Sequence, residues 1–238
     1  MRCKILTIEV DQYTLQETVT LIASAVVDKR YLQVVTANPE LIYRAGREEE
    51  LSALINRAGL VTPDGIGVVW AARLLGTPVP ERVTGIDLME AIFPVAGREQ
   101  WRVFFLGGHP GVAEQAKAAI ATRHPGIIIG TAHGYFTTDE ENGTVNAIRH
   151  FRPDLLCVGL GAPRQEYWNA AHPRLATVSI GVGGSFDALA GIVPRAPQWA
   201  QALRLEWLYR LVREPWRWRR QSVLPRFVYQ VLRQKFQR

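Results

Sequence analysis

The sequence predicts an α/β fold, a mostly parallel sheet sandwiched by helices, with a C-terminal helical appendage. Three observations lead there. Over residues 4–195, short aliphatic or β-branched runs alternate with turn residues and amphipathic stretches. Several of those runs are apolar at consecutive positions, as strands covered on both faces must be. After Pro194 the composition changes to Trp, Leu and Arg at helical spacing.

Each element can be justified in turn. The runs that read as strands are Ile5–Glu9, Leu32–Thr36, Leu60–Thr62, Val103–Leu106, Ile127–Thr131, Leu155–Gly159 and Val178–Val182. Between them Leu15–Lys29, Pro39–Ala58, Ile86–Ala96, Pro110–Arg123 and Glu140–Phe151 carry helical periodicity. Residues 1–195 form the expected catalytic core and 196–238 the appendage. In the appendage, residues 197–213 read as a helix with Trp199, Leu203, Trp207, Leu208 and Leu211 on its apolar side. Glu214-Pro215 interrupts it, because proline cannot continue a helix. Ser222 and Pro225 suit the start of a last helix, with Leu224, Val228, Val231 and Leu232 facing one way.

Composition narrows the classes of function. The 238 residues are 47% hydrophobic and 21% charged, so a packed core is expected and disorder is not. The charge is unevenly placed. Residues 1–200 hold 18 Lys and Arg against 20 Asp and Glu, whereas residues 201–238 hold 10 against 2. The two cysteines, Cys3 and Cys157, lie in apolar runs and read as reduced, buried thiols. The N-terminal residues are too charged for a signal peptide, and no uncharged apolar run reaches the ~18 residues of a membrane span. Any membrane contact is expected to be peripheral.

Ligands of an open parallel sheet bind beyond the carboxyl ends of its strands. The residues that follow the strands are therefore the candidates. Asp64, between Pro63 and Gly65, has the position of a general base that takes a proton from an attacking hydroxyl. Position alone equally allows it to be a turn or cap residue for a helix starting near Gly67. Gly107-Gly108-His109-Pro110-Gly111 lets backbone N–H groups approach an anion, and Gly181 to Gly184 is a similar case. Neither is a Walker loop or a full dinucleotide fingerprint, and tight strand-to-helix turns need glycine in any event. The five histidines do not pair at ligand spacing and no Asp-x-Asp occurs, so no metal and no cofactor are expected. If a nucleotide diphosphate leaves here, protein cations or dipoles must stabilise it, and the tail offers Arg213, Arg217, Arg219 and Arg220. The basic tail reads as a solvated face, a nucleic-acid site or a lipid-facing surface. Trp and Leu beside Arg favour an anionic membrane surface, and no nucleic-acid motif is present.

Taken in order, the motifs resemble the WecG/TagA/CpsF family of glycosyltransferases over nearly the whole chain. The resemblance rests on Thr36-Ala-Asn38-Pro-Glu40, Pro63-Asp64-Gly65-Ile-Gly67 and Arg82-Val-Thr-Gly85-Ile-Asp87. It continues through Phe105-Leu-Gly107-Gly108, His133-Gly-Tyr135-Phe136 and Gly159-Leu-Gly-Ala-Pro163-Arg-Gln165-Glu166. It ends with Gly181-Val-Gly183-Gly184-Ser-Phe-Asp187 and with Pro194-Arg195-Ala-Pro197 leading to Leu205-Glu206-Trp207. The resemblance implies a Rossmann-like core and an inverting, metal-independent transfer from a UDP-sugar to a GlcNAc carried on undecaprenyl diphosphate. The donor sugar would be N-acetylmannosamine or a related hexose, and the product would feed teichoic acid or exopolysaccharide assembly. Other members look to transfer glucose or glucuronate.

Carried over by motif, Asp64 would be the base, and Thr36, Asn38 and Arg82 would line the sugar and acceptor pocket. Gln165 would lie near the diphosphate, and Tyr135 and Asp187 near the nucleoside. Arg217 and Arg220 match the appendage arginines. The enzyme would sit peripherally on the inner face of the cell membrane. Removing the residues after Pro197 should abolish transfer and leave the core folded, and the tail's apolar stripe could also serve self-association. Two rivals of other classes stand beside this reading. A nucleotide-dependent oxidoreductase should show glycines after the first strand, and Ile5–Tyr13 has none. A non-catalytic membrane- or nucleic-acid-binding module leaves the polar strand ends unexplained.

Overall fold

The computed structural model describes residues 1–194, 197, 209, 218 and 222–237. The helix expected over 197–213 lies outside them, apart from Pro197 and Tyr209, and so do Arg217 and Arg220.

The N-terminus departs from expectation. Ile5–Glu9 is not one strand but the bend of an antiparallel hairpin, in which β1 (Arg2–Ile5) pairs with β2 (Ile8–Asp11) and Ile5 stands opposite Ile8. Leu6 takes φ 53°, the left-handed conformation that tight hairpin turns use. Cys3, Ile5, Ile8 and Val10 are all buried, so apolar residues flank the turn closely and imitate one continuous run. Both cysteines are free and buried, as expected, and burial pushes the Cys157 thiol up.

The other strands lie within a residue or two of the expected runs. They are β3 (Leu32–Ala37), β4 (Leu60–Pro63), β5 (Arg102–Gly107), β6 (Ile128–Ala132), β7 (Leu155–Gly159) and β8 (Val178–Gly181). They form one parallel sheet in the order β4-β3-β8-β7-β5-β6. The described helices are α1 (Leu15–Val27), α2 (Pro39–Ala45), α3 (Glu49–Asn56), α4 (Ile66–Leu74), α5 (Gly85–Arg98), α6 (Val112–Arg123), α7 (Thr138–Phe151), α8 (Arg164–Ala171), α9 (Ser185–Leu189) and α10 (Leu224–Phe236). The stretch expected as one helix over Pro39–Ala58 is two, because Gly46 ends α2 as its C-cap. Side-chain caps set three further starts. Thr14 with Glu17 and Thr137 with Glu140 form reciprocal capping boxes, and Thr84 accepts from the Asp87 N–H to open α5.

Alternation along the strands separates the layers. Val34, Val103, Phe105, Cys157 and Ile180 pack under α1, α5, α6 and α9. On the opposite face, Val35 and Val61 meet the hairpin, α2, α3, α4 and α10, while Phe104, Leu106, Leu156 and Val158 meet α7 and α8. The sheet is therefore covered on both sides, the α/β sandwich that the unbroken apolar runs imply.

The last helix belongs partly to this core. Phe227 and Val231 are 1% and 0% exposed and pack with α2 and α4. Gln234 accepts from the Leu6 N–H at 2.8 Å and donates to the Lys4 carbonyl at 3.2 Å. The buried stripe is thus turned from the expected one. Phe227 joins Val231 as an i,i+4 anchor, while Val228 and Leu232 stay exposed, because the phenyl ring removes the larger apolar area from water. Truncation after Pro197 would accordingly uncover core residues, not leave the core intact. Phe227→Ala is expected to cost about 3–5 kcal/mol of unfolding free energy. Urea denaturation measures it, and a change under about 1 kcal/mol would show that α10 is not held by this contact.

Candidate functional site

The sheet order decides where a cleft can open. From β3 the chain departs into α2 on one face, and from the adjacent β8 it departs into α9 on the other. Neighbouring carboxyl ends whose chains diverge leave a crevice between them. A cleft of about 620 Å³ lies there.

Its polar residues follow four strand ends, except that Arg82 comes from the segment before α5. Thr36 closes β3; its side chain is buried and its hydroxyl donates to the Gly181 carbonyl at 2.8 Å. Asn38 caps α2, its Oδ1 accepting from the Leu41 N–H at 2.9 Å. That leaves the two amide protons on Nδ2 for the cleft. Asp64 follows β4, and its backbone N–H is tied to the Ala37 carbonyl at 2.9 Å. The N-cap of α4 is Gly65, at φ 99°. Asp64 therefore stands outside the helix rather than capping it, and it lines the cleft with Glu40 and Arg82. Arg82 reaches Asp87 at 3.5 Å, and Asp87 accepts a 2.7 Å hydrogen bond from the Thr84 hydroxyl. The guanidinium is held by the first turn of α5.

Gln165 also lines the cleft but is only 2% exposed. Its Oε1 accepts from the Gly183 N–H at 3.0 Å, and its Nε2 donates to Glu166 Oε1 at 2.8 Å. Both ends of the amide are engaged by the protein, so Gln165 shapes the loop of Gly183 and Gly184. Glu166 is buried, and desolvation pushes its carboxyl up to about 7.

Four expected binding residues do not line this cleft. Gly107 and Gly108 end β5 beside β7. A Cβ on Gly107 would stand 2.4 Å from the Gly159 carbonyl oxygen, so strand packing alone requires glycine there. Gly108 bonds to Gly159 and Gly134. Tyr135 is 60% exposed and stacks on His109, with ring centroids 4.0 Å apart. Asp187 lies in α9, within reach of Gly184, which does line the cleft. Arg217 and Arg220 fall outside the described residues.

Sequence reasoning missed the apolar half of the cleft. Ile66 and Trp70 from α4 meet Leu224, Phe227 and Val228 from α10. The i, i+4 spacing of the first pair and the i, i+3, i+4 spacing of the second were legible, but only the fold shows that they face each other. Glu166 was visible in its motif, and nothing in the sequence distinguished it from an exposed helical glutamate. A second hollow of about 640 Å³ lies at the amino ends of the strands, beside Lys29, Arg149, Arg152 and Arg174. Lys29, Arg149 and Arg152 sit at or just beyond the C-termini of α1 and α7, where the helix dipole favours them, and Arg174 follows α8. Among the described residues no group of three His, Cys, Asp or Glu could hold a metal ion.

Comparison with known proteins agrees with the motifs. The model of the Glycosyl transferase WecG/TagA/CpsF family matches residues 3–238. An N-acetylglucosaminyldiphosphoundecaprenol N-acetyl-beta-D-mannosaminyltransferase of Staphylococcus aureus (strain MW2) is 37% identical over 206 residues, covering 86% of this chain and 81% of the relative. The protein of the same description from Bacillus subtilis (strain 168) is 35% identical over 205 residues, covering 85% and 79%.

The buried carboxyl gives the site a pH signature. With its pKa raised from 4.5 to about 7, Glu166 keeps a proton in the folded state that the unfolded chain releases. Its contribution to stability is fully present below pH 4.5 and is lost as pH rises through about 7. Glu166→Gln is expected to remove that slope, roughly 3 kcal/mol in all. Urea titrations at acid and at alkaline pH give the comparison, and a slope unchanged in the variant would contradict it.

Proposed function

The chain belongs to the WecG/TagA/CpsF family of glycosyltransferases, and from that premise we propose that it moves N-acetylmannosamine or a related hexose from a UDP-sugar to GlcNAc on undecaprenyl diphosphate. The product would enter teichoic acid or exopolysaccharide assembly. One observation carries the proposal: a single cleft joins Asp64, Asn38 and Arg82 to an apolar wall of Ile66, Trp70, Leu224 and Val228. An acceptor that is a sugar at one end and a lipid at the other needs both halves.

In the proposed reaction Asp64 takes the proton from the acceptor hydroxyl as its oxygen attacks the anomeric carbon. The bond from that carbon to the diphosphate oxygen breaks, and its electron pair leaves with UDP. A single displacement of this kind inverts the anomeric centre and needs one base. Arg82 and the Asn38 amide would hold sugar hydroxyls, with Thr36 closing the floor. Charge on the departing diphosphate would fall to Arg217 and Arg220, since an arginine fork bonds two phosphate oxygens at once. The nucleoside is assigned to the edge bearing Gly107, Gly108, Tyr135 and Asp187. That assignment is supported by the exposed Tyr135 ring, which His109 holds in place as a stacking surface for a base. No resident metal or cofactor takes part in this scheme.

The lipid end sets the location, proposed as the inner face of the cell membrane. No described helix is long and apolar enough to cross a bilayer. Helix α10 exposes Val228, Tyr229, Leu232 and Phe236 beside Arg226, Arg233 and Lys235, the composition of a surface that rests on anionic lipid.

Two measurements test the proposal. Asp64→Asn should retain UDP-dependent thermal stabilisation and lose at least about a hundredfold in transfer to a lipid-diphosphate-GlcNAc analogue. Retained turnover would remove Asp64 from the role. Replacing Leu232 and Phe236 by Asp should reduce co-sedimentation with anionic vesicles by about tenfold or more. Unchanged sedimentation together with loss of a dimer in solution would assign that stripe to self-association instead.

A further inference from the structure

The floor of the cleft beside β8 is nearly bare backbone. Three of the four residues from 181 to 184 are glycine, so neighbouring side chains must hold their shape. Thr36 does so from β3, through the bond to the Gly181 carbonyl. From α8, Gln165 lies so close that a Cβ on Gly181 would stand 2.7 Å from its Nε2. The amide then accepts from the Gly183 N–H.

A primary amide is nearly symmetric in shape. Half a turn about its last torsion exchanges donor and acceptor while filling the same space. Turned that way, Gln165 would press an NH₂ group against the Gly183 N–H, donor against donor. Shape cannot prevent this; a second partner must. That partner is Glu166, whose Oε1 accepts from the NH₂ end of Gln165 at 2.8 Å, whether the carboxyl is ionised or carries its proton on the unpartnered Oε2.

We propose that Glu166 is a positioning residue for transfer: by selecting one orientation of the Gln165 amide, it fixes the Gly183 peptide that lines the cleft. Two facts argue against mere structural support. Glu166 is 1% exposed, and its Oε2 has no hydrogen-bond partner among the described residues. An apolar side chain of the same length would fill the space without the desolvation cost. The position therefore opposes folding while orienting a group at the cleft, a combination typical of functional sites.

The assay rests on the glycosyltransferase reading above, whereas the positioning itself can be read without it. In the full chain, Glu166→Met should fold with a thermal midpoint at or above that of the parent. It should lose at least about tenfold in kcat for transfer from UDP-N-acetylmannosamine to the lipid-diphosphate-GlcNAc analogue, since small misplacements at a reacting site are costly. Hydrogen exchange at the Gly183 amide should accelerate. Glu166→Gln, which keeps a carbonyl for the Gln165 amide, should recover most of the lost rate. Adding Glu166→Met to Gln165→Met should cost little more than Gln165→Met alone. Parental kcat in Glu166→Met, unchanged exchange at Gly183, or a rate loss that tracks a lowered midpoint would each overturn the inference. Should the parent protein transfer nothing from this donor, the substrate reading fails, and exchange at Gly183 still decides the role of Glu166.

Discussion

The buried 2.8 Å hydrogen bond from the Thr36 hydroxyl to the Gly181 carbonyl joins β3 to β8 where their chains part for opposite faces of the sheet. Everything at the cleft hangs from that junction. On the β3 side the next residues are Ala37, which receives the Asp64 N–H, and Asn38, which caps α2. On the β8 side is the glycine loop tied to Gln165. A hydroxyl that spends its proton across two strands retains lone pairs but no free donor. Thr36 thus sets the geometry of the floor more than it offers a hydrogen to a ligand. The other polar side chains that line the cleft include Asn38, Glu40, Asp64 and Arg82.

Much of the fold was legible because burial on both faces writes itself as unbroken apolar runs. Leu155–Gly159 could hardly be anything but an interior strand. The hairpin was not legible. Its two short strands carry apolar residues so close to the turn that Ile5 and Ile8 read as one segment, and Leu6 is not a residue type that announces a positive φ. The site was legible in part. Thr36, Asn38, Asp64, Arg82, Gln165, Gly183 and Gly184 meet in one cleft because each follows, or is anchored to, a carboxyl end of the same sheet. Gly107 was legible as a glycine, yet the reason for it is the approach of β5 to β7, a contact between strands about 50 residues apart.

The apolar wall was illegible for another reason. Leu224, Phe227 and Val228 are ordinary residues of an amphipathic helix, and sequence alone allowed several faces to be the buried one. The choice is made by tertiary contact: Phe227 enters the core beneath α10, which turns Leu224 and Val228 toward Trp70. One helix thereby serves two layers. Its inner face stabilises the fold, while its flank completes a binding surface. The charge split of the sequence had suggested an arm separate from the core, but for this helix the separation is not a physical one.

Under the proposed function, that double role bears on how a polar sheet edge could handle a substrate anchored in lipid. In that proposed reaction the sugars would need desolvation and fixed dipoles, which the sheet edge could supply. The lipid needs an apolar path that does not cross the polar floor. In this chain the transition runs along one side of the cleft, from Asp64 and Arg82 through Trp70 and Val228 to the exposed Leu232 and Phe236. The polar end is pinned to the sheet by backbone hydrogen bonds, and the apolar end is pinned to the hairpin through Gln234. Since both ends are anchored to one sandwich, the distance between a lipid surface and the reacting carbon would, in the proposed reaction, become a property of the fold. Binding at the surface would then orient the cleft as well as concentrate it, and orientation is the costlier part of bringing two large reactants together.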